Sequence, residues 1–539
     1  MDSSLIKNMV YRENKDSVTF SMGEIAYYIY FAVMLFAKGI GLYEGMAAYN
    51  FCLLFASGVL LIKLSMDSYS LREAVCMAAL VLLGVLVWRN SGEKGPLLYI
   101  LLLIGMKNIP VKRVFGLGLL VWGSAFVIQI LLALAGARSG VFMAHEKLGL
   151  GHIIRWSLGY PHPNVLHISY VILIAFLLYN IRLEGKKLIA ATMVCFIGNL
   201  YIFMYSISYT GFVLTVAYLI CNLYFNLRKN RTKAEDILIQ AVFPGCVIFS
   251  VAGPLVLKGK LFNIFDKLLN TRLYLSQYFM TRGNWTLFGD RQLEIRAENK
   301  RFTLDCSYTY LLMYGGIVIF AIMCVGYFFL INRYVKEKKN KELAIIIGIL
   351  IAGISEPFLF NTAYKNLSII FMGSFLFEIF GIMIMNKKKE NSKQIHFLPF
   401  GNKTVSFRYG WLGNAAIYLK QQMKKNCRRI LLIWMIAAVL AGTSYAVLAH
   451  IPDSIYILKA GSDKYEKTVY LDMENLPEDF NSRIVSYVDE KTPMYEFSGN
   501  MVTVEYVRGI VSSGLLGGVL IAGICLLIYC LYDKKRKLS

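Results

Sequence analysis

The chain has 539 residues, 57% of them hydrophobic, and a mean hydropathy of +0.53, which excludes an ordinary soluble domain. Its 57 Lys and Arg against 34 Asp and Glu give a net charge of +23. Those basic residues lie in connections between apolar runs and not in a basic folded domain, so a nucleic-acid-binding protein is excluded as well.

The first 22 residues carry Lys7, Arg12 and Lys15 among polar neighbours. The apolar run behind them is of full length and lacks a small-residue cleavage pattern, so it is expected to remain as a span. A helix needs about twenty apolar residues to cross the hydrocarbon of a bilayer. Runs near that length predict spans around 23–41, 46–63, 72–88, 95–106, 113–136, 165–181, 188–206, 211–227, 237–257, 309–330, 342–360, 366–385, 430–449 and 510–531. The fourth is short and begins at Pro96, where a helix loses no needed donor.

Charge predicts the orientation. Arg182, Lys186 and Lys187, then Arg228, Lys229, Arg231 and Lys233, then Arg333, Lys336, Lys338, Lys339 and Lys341 fill alternate connections. The connection 386–429 holds eleven Lys/Arg, and the chain closes on Lys534, Lys535, Arg536 and Lys537. The short connections Gly41–Gly45 and Ser208–Thr210 carry no Lys or Arg, while Arg89 and Lys94 in 89–94 are a small exception. The positive-inside rule therefore expects both termini in the cytoplasm. Eight of the ten cysteines fall within spans and Cys306 is expected outside, so no external disulfide is expected.

The expected fold is an all-α polytopic membrane protein in three parts. Residues 1–385 form a twelve-span core with large outer loops at 137–164 and 258–308. Residues 386–429 form a basic cytoplasmic linker. Residues 430–539 form a two-span hairpin whose outer segment, 450–508, makes a small strand-containing ectodomain. No internal repeat stands out, which argues against an inverted-repeat transporter. Within the second large loop, Lys260 to Leu269 repeats its apolar residues at i, i+3, i+4 and i+7. That pattern predicts an amphipathic helix lying in the interface. Lys467–Leu471 and Met501–Val507 are rich in β-branched and aromatic residues and are expected as strands. Trp411–Arg429 is expected as a basic helix on the inner leaflet.

Three outer segments carry candidate chemistry. In Arg155-Trp156-Ser157-Leu158-Gly159-Tyr160-Pro161-His162-Pro163-Asn164, two prolines stiffen the backbone around His162, and Gly159 permits a tight turn. A held histidine suits a general base or a donor. The fork of Arg155 suits phosphate oxygens. The same residues also fit a plain tight loop with an interfacial Arg and a capping Asn. Arg272, after Asn270 and the amphipathic helix, fits a lipid pyrophosphate or lipid headgroups equally. Arg282, Arg291, Arg296 and Arg301 follow, interleaved with Asp290, Glu294, Glu298 and Asp305; a basic outer loop points to an anionic ligand. Asp305 and Ser307 also fit simple helix capping. Glu356, at the outer end of the eleventh run, is a costly acid near a bilayer, functional or facing water. No His/Cys cluster has metal-ligand spacing, no Gly-rich phosphate loop is present, and no cofactor is expected.

Together these residues resemble a known group. The Arg155–Asn164 stretch is similar to the Arg–Gly–aromatic–His-Pro-Asn segment of bacterial capsular and O-antigen repeat-unit polymerases, whose superfamily includes the O-antigen ligases. Tyr205-Ser206-Ile207-Ser208-Tyr209-Thr210-Gly211 resembles the Ser-Arg-x-Gly turn of that family, Asn270-Thr271-Arg272-Leu273 its second-loop Arg, and Asp305-Cys306-Ser307-Tyr308 its Asp-Asn-x-Tyr helix start. The likeness covers roughly residues 20–385. Tyr209 stands where an Arg is common and Cys306 where an Asn is usual. The hairpin 430–539 is extra and is similar in layout to polysaccharide chain-length regulators.

The resemblance implies a metal-independent glycosyltransferase in the bacterial cytoplasmic membrane. It would join undecaprenyl-pyrophosphate-linked oligosaccharide units at the outer face, alongside a chain-length regulator and a flippase. It implies Arg155 and Arg272 at the pyrophosphate and His162 at the acceptor hydroxyl. Asn164, Asp305, Tyr308 and Glu356 would bind substrate. A ligase of the same superfamily and a lipid-linked oligosaccharide flippase remain as alternatives.

Overall fold

A computed structural model describes residues 17–134, 142–147, 151–228, 230–291, 303–386, 395–396, 403–408, 411–451, 454–460, 467–470, 484–489, 492–498 and 500–536. Helices dominate, and the chain is an all-α polytopic membrane protein with only small sheets among the described residues. Glu294, Arg296, Glu298 and Arg301 of the second large loop lie outside the described residues.

The chain divides into two compact units. The core unit comprises 21–135 and 164–403; the hairpin unit comprises 1–20, 136–163 and 404–539. In chain order the core helices are α1 (Met22–Gly39), α2 (Ala47–Met66), α3 (Leu71–Ser91), α4 (Gly95–Gly105), α5 (Val111–Leu134), α6 (Pro163–Asn180), α7 (Gly185–Ser206), α8 (Tyr209–Leu227), α9 (Lys233–Val251), α10 (Gly259–Leu268), α11 (Arg272–Arg282), α12 (Ile317–Lys336), α13 (Asn340–Ala352) and α14 (Ser368–Asn386). Ser70 and Thr232 begin α3 and α9 with reciprocal capping boxes to Glu73 and Glu235, each satisfying two otherwise orphaned donors.

Ten described helices are long and apolar enough to cross a bilayer, and they match ten of the predicted runs. The remaining four runs form α1, α4, α13 and α14, of 18, 11, 13 and 19 residues. Burial accounts for the two shortest. α4 and α13 are buried along almost their whole length, whereas α2 leaves Phe51, Leu54 and Leu61 exposed. A helix enclosed by other helices has no hydrocarbon to match, so the length rule relaxes for it.

The amphipathic segment is α10. It buries none of its residues in the protein, and Leu261, Ile264 and Leu268 are 59%, 60% and 74% exposed, as an interfacial helix requires. The tenth run departs from expectation. Ser307–Tyr310 makes a helical turn, Leu311–Gly315 a π-helical turn, and α12 starts only at Ile317. Gly316 breaks the helix at φ +89°, and a Cβ there would lie 2.4 Å from the Leu287 carbonyl oxygen. The break lets 286–290 cross it, with Ile317 N–H donating to Thr286 O at 3.0 Å and Asp290 N–H to Met313 O at 3.1 Å.

In the hairpin unit, β1 (Phe142–Lys147) and β2 (Gly151–Trp156) form an antiparallel pair. Next come α15 (Trp411–Leu448), β3 (Ser454–Ala460), β4 (Lys467–Tyr470), β5 (Ile484–Asp489), β6 (Thr492–Ser498) and α16 (Asn500–Arg536). The four later strands pair antiparallel in the order β4-β3-β6-β5, so the expected strand at Lys467 is present. Two expectations are corrected. Trp411–Arg429 is not a separate helix, because it runs unbroken into the following span as α15. Met501–Val507 is not a strand but the first turns of α16. Met501, Arg508 and Ser512 are buried, a spacing that puts them on one helical face and lets burial override β propensity. α15 and α16 approach closely through small residues, with Gly514 and Gly517 against Ala438 and Ala441.

Candidate functional site

The core unit gathers one polar cluster from four separated segments. α10 ends in a sharp reversal in which Asn270 and Thr271 both take left-handed backbone, φ +53° and +68°. This reversal places Arg272 at the first position of α11, and the side chain is buried. Its Nε donates to the Ser355 carbonyl at 2.8 Å, and Nη1 donates to the Asn270 carbonyl at 3.2 Å. Two backbone segments therefore fix the plane of the guanidinium. Its Nη2 faces Asp305 Oδ2 at 3.4 Å and Glu356 Oε1 at 3.8 Å.

The carboxylates are placed by the interrupted helices. α13 ends at Ala352, so Glu356 sits in the irregular stretch before α14 and beyond the helix in which the sequence placed it. Ser307 ties that stretch down: its N–H donates to Gly353 O at 2.8 Å, its hydroxyl donates to Glu356 O, and it accepts from Leu359 N–H at 3.2 Å. Tyr308 donates its hydroxyl to Leu350 O at 2.6 Å, inside the protein. Thr210, in the first turn of α8, donates to Glu356 Oε1 at 3.1 Å.

Burial sets the acidity. It pushes the Glu356 carboxyl up to about 7, with Arg272 opposing and Asp305 adding to the rise. Burial raises Asp305 too, again against Arg272. Near neutral pH the cluster can thus hold a proton on a carboxyl beside an arginine, an environment suited to charge stabilisation and proton transfer.

Two residues that the sequence reading passed over support this cluster. Lys365 is buried, with Nζ donating to Ser169 Oγ at 3.1 Å; burial pushes its ammonium down to about 7, and Glu356 holds it up. Its signal was a lone Lys in a short outer connection, against the positive-inside rule. His167 is fully buried, with Nδ1 2.9 Å from Ser206 Oγ and Nε2 2.7 Å from Asn199 Oδ1. It packs on Gly211, where an added Cβ would come within 2.5 Å of the ring, and so holds the turn that carries Thr210.

Arg155 and His162 belong to the hairpin unit, and Asn164 opens the first turn of α6 in the core unit. Arg155 is buried on β2, opposite Met143. β2 is held on α16: Trp156 Nε1 donates to Glu505 Oε1 at 2.7 Å, and Arg508 Nη2 donates to Ile154 O at 3.2 Å. Gly159 takes φ +84° in the turn that follows. Among the described residues, no group of three His, Cys, Asp or Glu could hold a metal ion. No protein-family model matches the chain, and no curated protein or solved structure matches it.

Proposed function

We propose that this protein is an integral-membrane polysaccharide polymerase that joins lipid-pyrophosphate-linked oligosaccharide units. In this reading it has a twelve-span core plus a two-span hairpin and works at the outer face of a bacterial cytoplasmic membrane, with both termini inside. One observation carries the reading. Thr210, Arg272 and Asp305, from three short motifs far apart in sequence, meet around Glu356. Those are three of the four motifs whose order suggested a polymerase, the first being Arg155–Asn164.

The chemistry follows from the cluster. The bond between the anomeric carbon and the pyrophosphate is already activated, so the protein must hold the donor and stabilise the departing anion. Arg272 is pre-oriented by two carbonyls, which avoids reorganising it in the transition state. Its remaining edge makes only long contacts to carboxylates, and a phosphate oxygen would bind there more strongly. A protonated Glu356 would donate to that phosphate where an ionised one would repel it. Arg155 and His162 keep the roles the resemblance implies, phosphate contact and acceptor activation.

Glycan ladders from cells carrying wild type, a deletion, Arg272→Ala, Arg155→Ala or His162→Ala test the reading, with membrane insertion checked. The deletion and the variants should leave single repeat units on lipid. Long glycan that persists in the deletion without reaching its final acceptor would make the protein a ligase. Lipid-linked unit accumulating on the cytoplasmic face would make it a flippase.

A further inference from the structure

A second charged site lies in the core unit, at the other end of α8. Asn226 is about 24 Å along that helix from Thr210, at 1.5 Å per residue. There a cavity of about 370 Å³ opens between the first turns of α5 and α13 and the last turns of α6 and α8, lined by Lys112, Arg182, Glu184, Asn226, Lys341 and Glu342 among others. That volume is within the range of small-ligand sites.

The lining holds three cations, Lys112, Arg182 and Lys341, against two carboxylates, Glu184 and Glu342. Glu342 already accepts the Tyr179 hydroxyl at 3.0 Å. Lys341 Nζ caps the end of α6, donating to Tyr179 O at 3.1 Å and Ile181 O at 2.7 Å. Burial pushes the Lys341 ammonium below its ordinary value; Glu342 opposes this, and the charges of Arg182 and Lys112 add to it. The side chains of Lys112 and Arg182 make no hydrogen bond or ion pair with any described residue. The cavity thus keeps a net positive charge of one, which favours an incoming anion. The cavity is also flanked by the N-termini of two helices, α5 and α13, whose free N–H groups favour negative charge.

We propose that this cavity binds a phosphate-bearing anion between Lys112 and Arg182, and that the headgroup of an anionic phospholipid supplies it. The guanidinium fork takes two phosphate oxygens and the lysine a third. Basic pockets between membrane helices near the bilayer surface recognise such headgroups. The site does not depend on the enzymatic reading, because none of its residues belongs to the Arg272 cluster.

Native mass spectrometry of the full-length protein, loaded in turn with phosphatidylglycerol, cardiolipin or phosphatidylcholine, tests this. The two anionic lipids should remain as adducts, and phosphatidylcholine should not. Lys112→Ala/Arg182→Ala should weaken retention roughly tenfold or more, while the exposed pair Lys186→Ala/Lys187→Ala should leave it unchanged. A parallel titration with inorganic phosphate separates the sources. Phosphate that displaces the lipid supports a shared anion site. Phosphate binding that needs Lys112 and Arg182, with no lipid adduct, would overturn the headgroup as its source. Equal retention in wild type and the double variant, or equal loss in the control pair, would overturn the site itself.

Discussion

Two buried ion pairs in the core unit have opposite geometry. Lys63 in the last turn of α2 and Asp67 just beyond its end meet at 2.8 Å with side chains 0% and 1% exposed, and Lys63 Nζ also donates to Lys107 O at 3.1 Å. Arg272 meets Asp305 and Glu356 at 3.4 and 3.8 Å, and Asp305 is 29% exposed. The first pair has no slack, so its energy is spent within the fold. The second holds its arginine by backbone carbonyls and leaves the outer edge loosely matched, which is what a site for an exchangeable anion requires. Distance and commitment of donors separate the two, and the partial exposure of Asp305 adds to the difference.

The largest expected effect falls on activity at the loose pair. Arg272→Ala should lower chain elongation by about a hundredfold or more, the scale of losing one donor aimed at developing charge. Arg272→Lys should restore little, because a lysine lacks the fork. Membrane abundance should stay near wild type in both. The tight pair should behave in reverse. Lys63→Ala strands a buried carboxylate, costing about 3–5 kcal/mol; heat denaturation of the detergent-purified protein should move down sharply while elongation per folded molecule holds. Lost elongation with normal stability at Lys63 would break the comparison.

A smaller effect concerns pH. With the Glu356 carboxyl near 7, it is mostly neutral below that value and ionised above it, where it competes with phosphate for Arg272. The donor KM should therefore rise several-fold between about pH 6 and pH 8, the range that brackets this group. Glu356→Gln should flatten that rise; a profile unchanged by the substitution would remove Glu356 from donor binding. The folded group binds protons more tightly than an unfolded carboxyl, so stability should also fall as pH rises from about 4 to 7, and Glu356→Gln should abolish this component. The smallest effect is at Thr210→Val. Losing one hydrogen bond is worth about 1 kcal/mol, so elongation should drop only several-fold, with the pH dependence shifted upward because the ionised Glu356 loses a donor.

Much of this architecture was legible because the bilayer imposes a length rule. Ten of the predicted runs are long apolar helices, and α10 follows from its periodicity alone. Where protein replaces lipid around a helix, the rule weakens: α4 and α13 are short, and the eleventh run ends at Ala352, short of Glu356. The break at Gly316 was illegible because it depends on 286–290 crossing there, a contact between segments without sequence periodicity. Met501–Val507 misled because a β-branched run reads as a strand, whereas the burial of Met501, Val502 and Arg508 fixes the stretch as the start of a helix. In the cluster, Arg272 was visible as an anion contact, Asp305 as a helix start and Glu356 as a costly acid near the bilayer. Their convergence was not, nor was the buried His167 that holds the Thr210 turn, because a lone histidine in an apolar run carries no spacing signal.

The most direct test of the central claim uses purified full-length protein with lipid-pyrophosphate-linked repeat units in liposomes, comparing wild type with Arg272→Ala. The account predicts a glycan ladder from wild type and unextended single units from the variant, both proteins inserted and folded. A ladder of equal length from Arg272→Ala, or units left unextended by wild type, would contradict it.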